Sequence, residues 1–250
     1  MSKKKSGEEG ADKSEYIYQP DKIKDTLNIR DLKWTDKQKA LIDIGLNKNV
    51  KIVLITGPAG CSKTLLSVYC ALKLLNDKRV GEAYYLRSAV ESSDSKIGYL
   101  PGSADEKFSF YNIPLLDKLY ELLPQSQADK LIKEQKIKAF PINFMRGLSL
   151  NSSCLILDES QNSSIREIIT VISRLGKFSR CFVLADPTQT DLNNGKRGGF
   201  EQLFNIFSDK ESQEAGIQTF TFDESDILRS DITRFIVKKL KAAQIKNLSH

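Results

Sequence analysis

The stretch Gly57-Pro58-Ala59-Gly60-Cys61-Ser62-Lys63-Thr64 decides the fold of this chain. It follows an apolar run, Ile52–Ile55, and precedes Leu65–Leu75, in which apolar residues recur at helical spacing. A strand, a glycine-rich turn, a Lys-Thr pair and a helix form the layout of a phosphate-binding P-loop. The backbone N–H groups of the turn and the N-terminus of the helix then face a negative ligand. We therefore predict that Gly57–Thr64 binds a nucleotide, although a Lys-rich chain can also carry such a string in an ordinary turn.

The last residues of the stretch predict the chemistry of the ligand. Lys63 is expected to reach the β- and γ-phosphates of ATP, and the Thr64 hydroxyl is expected to hold Mg²⁺. Ser62 stands where the pattern has a second glycine. Because the helix begins there, we expect right-handed helical angles at Ser62. A side chain close to the phosphates predicts that binding is retained and hydrolysis is tuned.

The composition is that of a globular protein of 250 residues, with 28% charged and 40% hydrophobic residues and a net charge of +6. No apolar segment has the length of a membrane span, and no signal-peptide core follows the charged start. We expect a cytoplasmic protein with no membrane partner. The mild positive charge is compatible with a polyanionic ligand.

Histidine and cysteine usage excludes several kinds of site. His250 is the only histidine, which argues against histidine catalysis and histidine-based metal sites. The four cysteines form no CxxC pair, so neither a disulfide framework nor a zinc site is expected. Cys61 lies beside Lys63 at a helix N-terminus, a place that favours the thiolate. We favour the interpretation that Cys61 is a small filler residue over a redox role.

The remaining pattern predicts alternating strands and helices. We expect a disordered tail over 1–15 and a single domain over 16–250. Expected strands are Lys51–Thr56, Glu82–Arg87, Ile137–Ile142, Cys154–Asp158, Cys181–Asp186 and Ile217–Phe222. Expected helices are Leu27–Ile44 with Thr35 as N-cap, Thr64–Asn76, Ile113–Leu123, Ser126–Glu134, Ser164–Leu175, Gly199–Phe207 and Ser230–Ala243. This order indicates an α/β fold, a P-loop NTPase with a mostly parallel, RecA-like sheet and helices on both faces.

The C-terminal helix has an apolar face that includes Ile232, Phe235 and Leu240, and its other side is basic. We favour a helix docked on the core with a solvated basic side. A strip that binds nucleic acid or a partner subunit is the alternative.

Two carboxylates end the apolar strand Cys154–Asp158. Burying them is costly unless they act at the carboxyl edge of the sheet, where ligands bind in open α/β folds. Asp158 suits a metal contact, and Glu159 suits the base that polarises an attacking water. Gln189, in Asp186-Pro187-Thr188-Gln189, is expected to hold the water or sense the γ-phosphate, with an Asp-Pro turn as the alternative.

The order of the strands adds a prediction. Glu82–Arg87 lies between the P-loop strand and the Asp-Glu strand along the chain. A strand inserted there resembles the branch of P-loop ATPases that has an additional central strand.

Four strings together resemble the PhoH-like family of P-loop ATPases, and its short phage-encoded members most. They are Gly57–Thr64, Leu86–Glu91 with Ile97–Gly102, Met145–Gly147 with Asp158–Gln161, and Asp186–Gln189. The family is named for phosphate starvation and is similar to the first motor domain of superfamily 1 helicases. The match runs from about Gln38 to Arg229.

The resemblance implies roles for residues in these strings. Gln38 would read the adenine edge, Lys63 and Thr64 would bind phosphate and Mg²⁺, and Asp158 with Glu159 would form the Walker B pair. Gln189 would sense the γ-phosphate, and Arg229 would stabilise the transferred phosphoryl group in cis or from a neighbour. Arg87 lies where helicases contact a nucleic-acid strand, so RNA or single-stranded DNA is an expected partner.

The sequence departs from the family pattern at four positions. They are Ser62 and Ala185 in place of glycine, Ser160 in place of alanine, and Leu148 in place of a second arginine. Ser62 is expected to affect the rate of hydrolysis, and Leu148 removes a candidate phosphate or nucleic-acid contact.

Only about 60 residues follow Gln189, too few for a second motor domain. We therefore expect a homo-oligomer, in the form of a hexameric ring, in which a neighbour closes the ATP site. Three functions remain open: an ATPase acting on nucleic acid, a nucleotide-gated interaction protein with little hydrolysis, and a nucleoside kinase.

Overall fold

The computed structural model describes residues 19–88, 104–145, 149–186 and 199–227, together with Phe235 and Lys239; over 104–111 it describes the backbone alone. The strands are β1 (Ile52–Thr56), β2 (Glu82–Arg87), β3 (Ile137–Pro141), β4 (Ser153–Asp158), β5 (Arg180–Ala185) and β6 (Ile217–Thr221). The helices are α1 (Asp36–Leu46), α2 (Lys63–Asn76), α3 (Ala104–Leu122), α4 (Gln125–Lys133), α5 (Ile165–Ile172), α6 (Gly199–Ile206) and α7 (Lys210–Glu214). The short α7, capped by the Asp209 side chain, was not predicted.

The six strands form one parallel sheet in the order β3-β2-β4-β5-β1-β6. Every residue of the central strands β4 and β5 is buried, whereas the edge strand β6 is half-buried. Parallel strands covered on both faces read as continuous apolar runs, which is why the sequence revealed them. One core packs α1 to α4 against Val53 and Phe182, and the other packs α5 and α6 against Leu54 and Val183. The predicted α/β fold with helices on both faces is confirmed.

One strand lies between the P-loop strand and the Asp-Glu strand in the sheet, as in the branch with an additional central strand, but it is β5 and not Glu82–Arg87. β5 pairs with the P-loop strand β1 through Thr56 and Ala185, and with β4 through Leu157 and Val183. β2 lies on the far side of β4. The crossover through α2 skips two positions in the sheet, which β4 and β5 fill later, so order along the chain does not give order in the sheet.

The first helix begins at Asp36, and the prediction that it starts at Leu27 is wrong. Residues 19–34 instead form an irregular segment that contacts α2, α3 and α4. The N–H of Leu27 donates to Asn76 Oδ1 at 2.8 Å, and the N–H of Arg30 donates to the Leu122 carbonyl at 2.8 Å. Because distant partners take these backbone groups, a helix is not needed to satisfy them. Thr35 is the N-cap, as predicted.

The predicted tail, 1–15, lies outside the described residues, as does most of Ser230–Ala243. Phe235 and Lys239 are helical, but Phe235 is 55% exposed rather than docked on the core. The Lys239 ammonium lies 5.6 Å from the Phe235 ring centroid and covers part of it. Across the described ranges, no helix combines the length and apolar character that a membrane crossing requires.

Candidate nucleotide-binding site

The carboxyl ends of β1, β4 and β5 and the N-terminus of α2 surround a cavity of about 420 Å³. This volume is in the range of small-molecule sites. Its wall includes predicted site residues from three segments of the chain: Gln38, Ala59, Gly60, Ser62, Lys63, Thr64, Asp158 and Glu159. Asp186 lines the same cavity from the end of β5. The structure thus brings the P-loop and the Asp-Glu pair together.

The P-loop is packed closely against its neighbours. A Cβ atom at Gly57 would lie 2.6 Å from the Cβ of Phe222, so this position accepts only glycine without a shift of the backbone. The Lys63 ammonium donates to the carbonyls of Gly57 at 2.6 Å and Pro58 at 2.9 Å. It is folded back over the loop and has to leave these carbonyls to reach a phosphate.

The backbone of Ser62 adopts the left-handed helical conformation, so the expectation of right-handed helical angles is wrong. Its φ is 67° and its ψ is 21°, and it is the N-cap of α2 without a side-chain cap. The loop has to reverse direction before the helix begins at Lys63, and this turn needs a positive φ. The glycine of the usual pattern adopts such angles freely, whereas an L residue pays about 1–2 kcal/mol.

Cys61 is fully buried, and its thiol donates to the Pro58 carbonyl at 3.0 Å. Burial raises the pKa of the Cys61 thiol, against a smaller opposing effect of Lys63. The expectation that the helix N-terminus favours the thiolate is therefore outweighed by desolvation. These observations support the filler role.

Asp158 and Thr64 meet at the corner where a metal ion is expected. The Thr64 hydroxyl donates to Asp158 Oδ2 at 3.0 Å, and the N–H of Glu159 donates to Asp158 Oδ1 at 3.0 Å. No group of three or more His, Cys, Asp or Glu that could hold a metal occurs in the described part of the chain. Mg²⁺ commonly uses one or two carboxylates together with substrate phosphates, so this oxygen donor set fits it.

Sequence reasoning missed Tyr85. Its hydroxyl donates to Asp158 Oδ2 at 2.6 Å, and the residue is 1% exposed. Burial, and next the Asp158 charge, raise the pKa of the Tyr85 hydroxyl far above its ordinary value, so it remains a donor. The alternation of side chains along β2 was readable, but the partner was not, because the sequence does not place β2 beside β4.

Sequence reasoning also assigned no role to Gln161, the last residue of the Asp-Glu-Ser-Gln string. Its amide donates to Glu159 Oε2 at 2.5 Å, and its Oε1 accepts from the N–H of Asp186 at 3.1 Å. Arg87 approaches the other carboxylate oxygen of Glu159 at 3.9 Å. Glu159 is thus linked to the ends of β5 and β2, while 40% of its side chain stays exposed.

Gln38, expected to read the adenine edge, lies in the cavity wall, and it also has a structural role. Its Oε1 accepts from the N–H of Thr35 at 2.9 Å, and its own N–H donates to Thr35 Oγ1 at 3.3 Å. This capping box fixes the start of α1 beside Trp34, which lines the same cavity. Gln189, Arg229, Leu148 and residues 89–103 lie outside the described residues, so their roles stay predictions.

Comparison with known proteins agrees with this geometry. The sequence model of a family described as PhoH-like protein matches residues 32–241. The chain belongs to the PhoH-like family. The family resemblance and its P-loop ATPase type, expected from the sequence, are thereby confirmed.

Curated relatives cover most of this chain. The PhoH-like protein of Synechocystis is 31% identical over 193 residues, which are 77% of this chain and 57% of that protein. The PhoH-like protein of Mycobacterium tuberculosis is 36% identical over 175 residues, 70% of this chain and 49% of that protein. Protein PhoH of Escherichia coli K12 is 31% identical over 182 residues, 72% of this chain and 50% of that protein. The chain spans about half the length of the curated relatives it matches.

Proposed function

We propose that this chain is a Mg²⁺-dependent ATPase of the PhoH-like type that acts on RNA or single-stranded DNA. The observation that carries the proposal is the meeting of Thr64, Asp158 and Glu159 in one cavity with the P-loop. A phosphate-binding loop alone explains nucleotide binding. A carboxylate pair at the end of β4, which lies two positions from the P-loop strand β1 in the sheet, adds the groups that hydrolysis needs.

We assign nucleotide and metal binding to some residues of the cavity and proton transfer to others. The loop N–H groups and the start of α2 bind phosphate, and Lys63 moves from the loop carbonyls to the phosphate oxygens. Thr64 and Asp158 would hold Mg²⁺, which neutralises charge on the β- and γ-phosphates when bound. Glu159 orients a water and accepts its proton, and Gln161 keeps the Glu159 carboxylate in place.

Nucleic acid enters the proposal through Arg87 and the net charge of +6. Arg87 ends β2 at the same edge of the sheet, with a third of its side chain exposed, and lies near Glu159. A phosphate group bound to Arg87 would therefore change the electrostatic environment of the Glu159 carboxylate.

We also propose that subunits assemble as a hexameric ring, so that an arginine of a neighbouring subunit completes the ATP site. Light scattering with and without ATP tests this proposal.

A nucleotide-gated interaction protein with little hydrolysis is the second candidate. The contacts of Lys63 with two loop carbonyls, and of Glu159 with Gln161 and Arg87, favour it. Lys63 has to leave these carbonyls before it reaches a phosphate, and Glu159 has one oxygen bonded to Gln161 and the other near Arg87. In such a protein, ATP binding would change how the subunits or partners assemble, and little phosphate would be released.

The test is phosphate release from MgATP with single-stranded RNA, single-stranded DNA or no polymer. Glu159→Gln should lower the rate by about 10²-fold or more while ATP still binds, because a general base contributes that much. Glu167→Gln is the matched control, since Glu167 caps α5 away from the cavity. Binding by the wild type without release would favour the gated protein, and phosphate transfer only to a nucleoside would favour a kinase.

A further inference from the structure

Tyr85 is a buried tyrosine whose hydroxyl contacts a carboxylate of the candidate site. β2 and β4 are neighbours, and the register pairs Tyr85 with Ile156 and Arg87 with Asp158. The Tyr85 side chain therefore leans along the strand by two residues to reach Asp158 Oδ2 at 2.6 Å. Side chains on strands commonly lean in this way. A phenylalanine would fill the same space, so the hydroxyl is what requires an explanation.

The hydrogen bonds of Asp158 show what the hydroxyl contributes. Oδ2 accepts from both Thr64 and Tyr85, and Oδ1 accepts from the N–H of Glu159. Three donors thus hold a carboxylate that is only 6% exposed. Of the three, only the Tyr85 hydroxyl comes from outside the P-loop helix and the β4 segment itself.

Thr64 and Asp158 depend on each other's orientation. The Thr64 hydroxyl gives its single proton to Asp158, which leaves its oxygen lone pairs for a cation. If the carboxylate rotates, Thr64 loses its acceptor and the two oxygens no longer face the same point. A donor that prevents this rotation prepares the pair before the metal arrives.

We propose that Tyr85 is a positioning residue for Mg²⁺, acting through Asp158. The inference rests on the proposed function in one respect, since it takes MgATP as the ligand. Hydrogen-bond partners of metal ligands typically cost about 10- to 100-fold in metal affinity when they are removed. Tyr85 is one of three donors, so its loss should lie at the low end of that range.

The experiment compares Tyr85→Phe with Tyr84→Phe, two adjacent tyrosines on β2. The Tyr84 hydroxyl donates to Glu82 Oε2 at 2.5 Å. The Tyr84 side chain packs in the core that contains Leu54 and Val183, on the opposite face of the sheet. Each variant removes one buried hydroxyl from the same strand. ATP affinity is measured by calorimetry over a series of Mg²⁺ concentrations and in EDTA, and thermal unfolding is recorded without nucleotide.

Tyr85→Phe should raise the Mg²⁺ concentration for half-maximal enhancement of ATP binding by about tenfold and leave affinity in EDTA unchanged. Tyr84→Phe should leave both unchanged. The inference is overturned by an unaltered Mg²⁺ dependence in Tyr85→Phe, by an equal shift in Tyr84→Phe, or by wild-type binding that does not depend on Mg²⁺. Because binding is measured rather than turnover, a wild type that binds MgATP without hydrolysis refutes the proposed function and leaves this test intact.

Discussion

At the carboxyl edge of the sheet, Asp158 and Glu159 face a cavity, whereas at the amino edge Arg180 and Glu82 are enclosed by their own partners. Arg180 is 4% exposed and donates to the Gly45 carbonyl and, at 2.7 Å, to the Asn47 carbonyl. Glu82 accepts from the Tyr84 hydroxyl and, at 2.9 Å, from the Lys138 ammonium. The sheet therefore has a closed polar amino edge and a carboxyl edge that is open to a cavity.

The difference separates stabilising polar groups from functional ones. A buried charge is costly unless hydrogen bonds compensate it, and at the amino edge they come from within the fold. At the carboxyl edge, Lys63 and Glu159 also have protein partners, but both remain at a cavity large enough for a ligand. Changes at the two edges should therefore affect different measurements.

Lys63→Ala should have the largest effect, at the open edge. Removing the ammonium takes away the charge expected at the β- and γ-phosphates, so MgATP binding should become undetectable by calorimetry. Lys73→Ala, near the other end of the same helix, is the control and should bind normally. Normal MgATP binding by Lys63→Ala would contradict the P-loop assignment.

Arg180→Ala should have the largest effect on stability, at the closed edge. It leaves the carbonyls of Gly45 and Asn47 without their guanidinium donor, and hydrogen bonds to charged groups contribute about 1.5–3 kcal/mol each. We expect the free energy of unfolding in urea to fall by about 3 kcal/mol, with unchanged ATP affinity where the chain is folded. Lys177→Ala, in the exposed turn before β5, should change neither. An Arg180→Ala chain that loses ATP affinity while folded would remove the distinction between the edges.

Arg87→Gln tests whether the open edge extends to nucleic acid. Losing one phosphate contact should weaken binding to RNA or single-stranded DNA similarly for all sequences and lower the slope of log affinity against log salt by about 1. The measurement is fluorescence anisotropy over a range of salt concentrations. Lys51→Gln, which removes an exposed lysine at the amino edge, is the control. A slope that changes only in Lys51→Gln would move the nucleic-acid site to the opposite edge.

Local pattern was sufficient for the elements and for the edge at which the site lies. The apolar runs before Gly57 and Asp158 identified two strands, and parallel strands end at one edge, so the P-loop and the Asp-Glu pair had to meet. Thr35 was recognised as a cap because its partner, Gln38, is three residues away. In each case the deciding interaction is short in sequence or follows from strand direction.

Contacts between residues that are distant in sequence, including the order of strands in the sheet, could not be predicted from local pattern. The position of β5 between β1 and β4 depends on how far each crossover travels, and nothing within a strand encodes that distance. Tyr85 was missed because its partner, Asp158, is 73 residues away on a strand whose neighbour was unknown. The irregular segment before Thr35 was predicted as helix because Asn76 and Leu122, which bind its backbone, are also distant.

Ser62→Gly should have the smallest effect, and its sign is the informative part. A left-handed L residue costs about 1–2 kcal/mol, and glycine loses about 0.5–1 kcal/mol in chain entropy, so the variant should be more stable by about 0.5–1 kcal/mol in urea. Ser67→Gly, inside the regular part of α2, should instead lose about 1 kcal/mol, because glycine is less favourable than serine in a helix and the hydrogen bond from the Ser67 hydroxyl to the Lys63 carbonyl is lost. If both variants were destabilised alike, Ser62 would have right-handed angles in solution. Opposite signs would show that the P-loop tolerates a strained serine, and the ATPase rate of Ser62→Gly would then report what that serine does to hydrolysis.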